Sequence, residues 1–428
     1  MHLASGELVR SASRRVVGAS HIRLLPRRVS AVLIALAGTF SANVVPAAEV
    51  ESIARALSEA KPIVEMRLRL ESVSQEGIAA NAEALTLRGR VGMETGHAWN
   101  TALLAEGEFL WPLVSNYDST VNGKHRYPVI ADPENYQINR LQLTNVSIPN
   151  TAIVLGRQRI VLDDQRFIAN VAWRQNEQTY DALRVTTKPR APIVIDFAYI
   201  EQVNRVFGRD SAVGRYHGDN YAIDVGYELK AGTLTAFTYL LDFKEAPADS
   251  TSTFGARFAG ASDVRSVRIG YSGSWARQSD RGRNPLSFAE DYYALEVSGS
   301  LRALTLTGGV ETLEGNGIKG FTTPLATLHK FQGWADKFLT TPPNGVVDRY
   351  VSLGWTTGHT RPLDTLGMAA IFHTFDAERI ALRYGSELDL QLEAKLKRVR
   401  AVLKYAAYDT THFATDTAKY WAQVEFVL

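Results

Sequence analysis

From Pro62 to the last residue, apolar and polar side chains alternate with a period of two over segments of about ten positions. Val64, Met66, Leu68 and Leu70 alternate with Glu65, Arg67, Arg69 and Glu71. Leu85, Leu87, Gly89, Val91 and Met93 alternate with Thr86, Arg88, Arg90 and Glu94. Similar segments recur near 100–111, 136–147, 151–161, 178–187, 192–201, 219–229, 233–243, 253–259, 264–275, 290–300, 303–313, 347–357, 365–376, 385–396, 398–408 and 419–428. Alternation over that length predicts strands with one apolar and one wet face. About 18 of them, with 16 as the fallback, predict a transmembrane antiparallel β-barrel, an all-β fold.

The connections test this independently, because such barrels have short periplasmic turns and long outer loops. Brief turns are expected at 96–98, 148–150, 188–190, 230–232, 260–263 and 301–302, and long loops near 112–135, 162–177, 202–218, 276–289 and 314–346. The long connections fall at every second position. The final segment keeps its alternation to Leu428, with Phe426 two positions before. That is the form of terminal strand which barrel-assembly machinery reads. Trp99, Trp111, Tyr199, Tyr221, Tyr227, Tyr239, Trp275, Tyr292, Tyr293, Tyr350 and Trp355 lie near strand ends and are expected in the interfacial girdles.

The N-terminus has a different order. Arg14, Arg15, Arg23, Arg27 and Arg28 precede an apolar run at 29–37, and small residues follow up to Ala48. This is the order of a secretory signal peptide, cut near Ala47 or Ala48. The chain therefore divides into a signal peptide (1–48), a short helical periplasmic lead-in (49–61) and the barrel (62–428), bound for the outer membrane. No run of 18 apolar residues exists elsewhere, which excludes an ordinary transmembrane helix.

Charge and composition narrow the function. The net charge of +2 in 428 residues gives no reason to expect nucleic acid as a partner. Cysteine is absent, which removes thiol catalysis, disulfides and cysteine-held metals. The histidines stand singly, without metal-ligand spacing, so no metal site is expected. The run GNGIKG at 315–320 has glycines spaced as in a dinucleotide site but no strand–loop–helix context. No cofactor is called for. An enzyme on a barrel and a surface adhesin are weaker alternatives to a pore.

A charge on the lipid side of such a wall costs roughly 2–4 kcal/mol at the midplane, so charged strand residues are expected to face the lumen. The basic ones are Arg67, Arg69, Arg88, Arg90, Arg140, Arg157, Arg159, Arg184, Lys395, Lys397, Arg400 and Lys404. Barrel closure merges them into one arc. The acidic ones concentrate on the opposite strands, at Asp196, Asp224, Glu228, Asp242, Glu296 and Glu311, while Glu65, Glu71, Glu106, Glu108 and Glu393 interrupt the basic arc. The basic arc reads either as a track for an anionic solute or as one side of a set of wall-stiffening ion pairs. Arg157 and Arg159 have the best claim to a constriction, and Arg166 and Arg174 are placed to fold inward beside them. The loop at 314–346 is too apolar to lie in water. It is expected to fold into the lumen or cap it, with Phe321, Phe331 and Trp334 at the constriction; a membrane-side or partner-binding patch is the alternative.

Several runs resemble the alginate export family of outer-membrane proteins: LGRQRIVLDDQRF at 155–167, WRQNEQTYDA at 173–182, STVNG at 119–123 with YPVIADP at 127–133, and TPLATLH at 323–329 with GWADKF at 333–338. The resemblance implies an 18-stranded barrel whose arginine-rich lumen conducts an anionic exopolysaccharide of the alginate type or its oligomers. The remaining partners would be outer-membrane lipid and lipopolysaccharide. A general porin for small anionic solutes is the alternative.

Overall fold

The structure is a computed structural model that describes residues 47–358 and 362–428. All but the last two residues of the expected signal peptide lie outside the described residues. Helix α1 (Ala47–Ser58) covers most of the expected lead-in. The chain from Ser52 onward forms one compact unit. Within it, the Gly96 N–H donates to the Ala56 carbonyl at 2.8 Å, tying the end of α1 to the first inner turn.

Eighteen strands follow among the described residues: β1 (Lys61–Gln75), β2 (Ala82–Glu94), β3 (Thr101–Asn116), β4 (Asn135–Asn145), β5 (Thr151–Gln158), β6 (Thr179–Arg190), β7 (Ile193–Asn204), β8 (Arg215–Leu229), β9 (Gly232–Leu241), β10 (Thr251–Val264), β11 (Val267–Asp280), β12 (Ala289–Leu301), β13 (Leu304–Leu313), β14 (Val346–Gly358), β15 (Thr365–Asp376), β16 (Arg383–Leu396), β17 (Val399–Thr410) and β18 (Thr417–Val427). Each pairs antiparallel with its sequence neighbours, and β1 also pairs with β18, from Glu65 opposite Val427 to Gln75 opposite Thr417. The sheet is closed, so it has no free edge to pair with another chain.

The period of two has a direct structural cause. On β1, Leu68 and Leu70 are exposed on the outside, while Arg67, Arg69 and Glu71 between them are buried inside. The same alternation leaves Leu143, Leu295, Leu306, Leu353, Leu390 and Leu403 bare on the outer wall. So much apolar surface is stable only against hydrocarbon.

Parity also sorts the aromatics. Trp111, Tyr227, Trp275 and Tyr293 are exposed outside and fit the expected girdle. Tyr239 and Tyr292 are 2% and 1% exposed and point inward, as does Tyr350, which shares the inward register of Asp348. These three are not girdle residues. The turn expected at 260–263 also falls elsewhere. Strand β10 continues to Val264, and the reversal is made by Arg265 and Ser266. The Gly-Ala-Ser-Asp run has turn composition, but the ladder from Ala261 opposite Gly270 to Val264 opposite Val267 holds it extended.

Candidate functional site: the lumen and its two infolded loops

Two outer connections fold into the barrel: 159–178, between β5 and β6, and 314–345, between β13 and β14. They meet there. The Ala169 N–H donates to the Leu325 carbonyl at 2.9 Å, and the Thr327 N–H to the Gln165 carbonyl at 3.1 Å. Phe321 is fully buried, in ring contact with Phe167 (6.2 Å) and Tyr292 (5.6 Å). It therefore anchors the loop and does not line a constriction. Phe331 and Trp334 do border open space, a lumen cavity of about 380 Å³ shared with Asp164, Arg257, Glu296 and Tyr350.

The loops are held by the charged strand residues. Arg67 donates to the Ala172 carbonyl (3.1 Å) and Arg69 to the Trp173 carbonyl (2.6 Å). Arg90 pairs with Glu177 at 2.7 Å and with Glu108 at 2.6 Å. Arg159 also pairs with Glu177. Burial opposes ionisation of Glu177, but the two guanidinium groups outweigh it and bring its carboxyl down to about 2. From the second loop, the Trp334 and Ala335 N–H groups donate to Asp389 (3.2 Å) and Glu387 (2.6 Å) on β16. Gly333 precedes them at a φ of +79°, where a Cβ would stand 2.4 Å from the Glu387 carboxylate. Only glycine lets the backbone approach that closely. Asp336 receives Lys419 (2.8 Å), Arg174 (3.0 Å) and His329 (2.9 Å). Its burial opposes ionisation, but the two cations and the hydrogen bond from His329 hold its carboxyl well below the usual range.

The expected basic arc is present, and its arginines are neutralised by carboxylates that some of them share. Arg67 pairs with Glu425 (2.7 Å), Arg88 with Glu65 and Glu425 (3.3 and 3.1 Å), and Arg140 with Glu106 (2.6 Å). Arg184 pairs with Asp196 (2.5 Å) and Arg400 with Glu393 (2.7 Å). Arg166 folds inward and joins Glu311 at 2.6 Å, while Tyr292 donates to the same carboxylate at 2.9 Å. Lys404 lies inside, bonded to His329. Lys395 opposes Arg400 near the periplasmic rim. Of the acids, Asp224 is buried in the wall, Glu296 accepts from Tyr350 (2.6 Å), and Glu228 sits near the periplasmic rim with Lys188 (3.3 Å).

Three expected lumen residues lie elsewhere. Lys397 falls in the two-residue turn between β16 and β17, at a φ of +54°. Asp242 begins the outer loop because β9 ends at Leu241. Arg157 shares parity with Leu155 and sits opposite Leu141, both exposed on the outer wall. It pairs there with Asp181 at 2.6 and 2.8 Å. The preceding Gly156, at a φ of +113°, brings the chain within 2.3 Å of the Leu141 carbonyl as measured from its would-be Cβ. Strand β5 ends at Gln158, so Arg159 is released from the two-residue rule and turns inward alone.

Sequence spacing does not mark Glu177, Trp173, Asp336, Glu387 or Asp389 as site residues. Their roles depend on partners far away in the chain. The apolar content of 314–346 was the available signal for the second loop.

No protein-family model matches the chain, and no curated protein matches it by sequence. Solved structures do match. Pseudomonas aeruginosa OpdK, solved with vanillate, aligns over 87% of this chain and 99% of its own at 13% identity, with a TM-score of 0.69. OpdO of the same organism aligns over 88% and 99% at 14% identity, with a TM-score of 0.68. Acinetobacter baumannii OccAB4 aligns over 87% and 99% at 12% identity, with a TM-score of 0.67. What they share with this chain is a porin-like barrel, and the resemblance to the alginate export family finds no support among them. The closed 18-stranded antiparallel barrel with a short N-terminal helix is the fold of outer-membrane porins.

Proposed function

We propose that the chain is an outer-membrane channel through which small anionic solutes diffuse, with the two infolded loops setting the passage. The observation that carries this reading is that both long loops are packed inside the barrel through buried, paired contacts. A conduit for an anionic polysaccharide needs a clear and electropositive bore, and the pairing of the lumen arginines with carboxylates weighs against that. The fold it shares with porin channels supports diffusion in preference to catalysis.

Anion preference rests on the outer vestibule. A cavity of about 300 Å³ there is lined by Arg174, Arg205, Lys337 and Lys419 against Asp336 alone. Arg205 lies 4.3 Å from the ring centre of Tyr216 and donates to its hydroxyl at 2.7 Å. Among the described residues no carboxylate pairs with it. Burial, with Lys419 nearby, brings the Lys337 ammonium down to about 8. Cations held near a mouth raise the local concentration of anions.

Reversal potentials in planar bilayers under a potassium chloride gradient test the proposal. Discrete conductance with chloride preferred is expected. In liposome swelling, small monocarboxylates should pass and long uronate oligomers should not. A silent bilayer, a cation-selective pore or ready passage of the oligomers would each defeat it.

A further inference from the structure

The two infolded loops converge on one buried ammonium. Lys404 projects inward from β17, and its Nζ donates to His329 Nε2 at 2.8 Å. The same atom stands 3.5 Å from the Trp334 ring centre, 4.0 Å from that of Trp173 and 5.5 Å from that of Trp421. Trp173 comes from the first loop, His329 and Trp334 from the second, and Trp421 from the adjoining strand β18. The His329 ring stacks on Trp173 at 4.5 Å with 3° between their planes, and Trp421 meets Trp173 edge-on at 5.8 Å. The Arg69 guanidinium lies 4.2 Å from the centre of Trp173.

Lys404 is 7% exposed and, among the described residues, has no carboxylate within ion-pair distance. Its near contacts are ring faces and one imidazole lone pair, with the Asp389 and Asp336 carboxylates acting on its charge from farther off. That lone pair is available because the other nitrogen, Nδ1, is engaged by Asp336 at 2.9 Å, which fixes the proton on Nδ1. Asp336 in turn draws in Lys419 and Arg174. The cage has walls from two loops and two strands, and it closes only when both loops are in place.

We propose that Lys404 is the positioning residue of the channel: its ammonium fixes the two infolded loops against each other and thereby sets the aperture. This rests on the channel reading, but the loop-fixing part can be judged without it. An apolar side chain of similar length would fill the space. It would give neither a hydrogen bond to His329 nor a charge for the rings to face, so the loops would separate more often.

The experiment compares purified wild type, Lys404→Met, Lys404→Arg and Trp334→Ala, each first shown to be folded by its heat-dependent gel migration. Trypsin then reports exposure of Lys330 and Lys337, since cleavage tracks the population of the open state. Lys404→Met and Trp334→Ala should be cut about tenfold faster than wild type, with a red-shifted tryptophan emission and a larger, noisier single-channel conductance. Lys404→Arg, which keeps a cation over the rings, should stay nearer to wild type. Trp334→Ala alters no strand, so it guards against a misfolded Lys404 variant. Wild-type cleavage rates in both Lys404→Met and Trp334→Ala would overturn the proposal. Faster cleavage alongside a wild type that never conducts would uphold the fixing role and defeat the channel reading.

Discussion

Where the loops dock, on β1–β3 and β18, the Arg69, Arg88, Glu108 and Glu177 side chains are at most 1% exposed. On β6 and β7, away from that contact, the side chains of Arg184 and Asp196 keep 22% and 15% exposure. Both regions use guanidinium–carboxylate pairs. They differ in how much water remains. A pair shut away from water has lost its hydration and is costly to break, because removing one partner strands the other. A half-wet pair contributes roughly 0–1 kcal/mol to stability, yet its charges still act on a passing ion. The first region therefore fixes the loops, and the second faces the solute.

The sharpest way to break this contrast is Glu177→Gln. Glu177 answers both Arg90 and Arg159 from the first loop. Its loss leaves Arg90 with Glu108 and Glu65 (3.3 Å), and Arg159 with Glu106 at 3.8 Å. Loop docking should weaken by about 3 kcal/mol, as for other broken buried pairs. A fall in the unfolding midpoint in detergent and new protease cuts within 159–178 would show it. An unchanged midpoint would mean that the buried network holds nothing in place.

Acid offers a second and gentler test. Burial, with the Lys404 ammonium close by, holds His329 well below its ordinary value. Undocked, it returns to about 6.5. Between those two values the undocked loop binds more protons, so docking loses stability as pH falls below about 6.5, by up to about 1.4 kcal/mol per pH unit. Asp336, held low by Lys419, His329 and Arg174 against the effect of its burial, loses its contribution further down, as pH falls below the ordinary carboxylate range. The sign is the same for both. Tryptophan emission should report looser loops at pH 5 than at pH 7.5, and His329→Gln should remove that response while leaving the one at lower pH. Tighter packing in acid would contradict the assigned tautomer.

The strands were legible in the sequence because lipid outside and water inside impose one rhythm on every crossing, whatever the partners. The infolding of 314–345 was legible for a related reason: Phe321, Leu325 and Phe338 cannot rest in water. What the rhythm does not carry is where it stops. Asp242 and Lys397 stand one residue beyond their strands, and at such ends parity no longer assigns a face. Nor does it say which charges meet. Trp173 reaches Lys404 and Asp336 reaches Arg174 only after the barrel has closed, and no local pattern marks those partners.

The smallest expected effect tests parity itself. Arg184 and Arg157 are both bidentate to an aspartate, with side chains 22% exposed in each case. Sequence spacing treats them alike. In the barrel they stand on opposite faces: Arg184 opposes the buried Ala198, while Arg157 opposes the exposed Leu141. Removing Arg184 leaves Asp196 uncompensated in the lumen, so Arg184→Gln should shift the reversal potential toward cations while changing stability by less than about 1 kcal/mol. Arg157→Gln leaves Asp181 uncompensated on the outer wall instead, near the outer end of β5, with the wall between it and the ion path. Its selectivity should equal that of the wild type within error, and its stability should change by no more than that of Arg184→Gln. Equal shifts in reversal potential from the two variants would place Arg157 inside and overturn the register of β5 against β4.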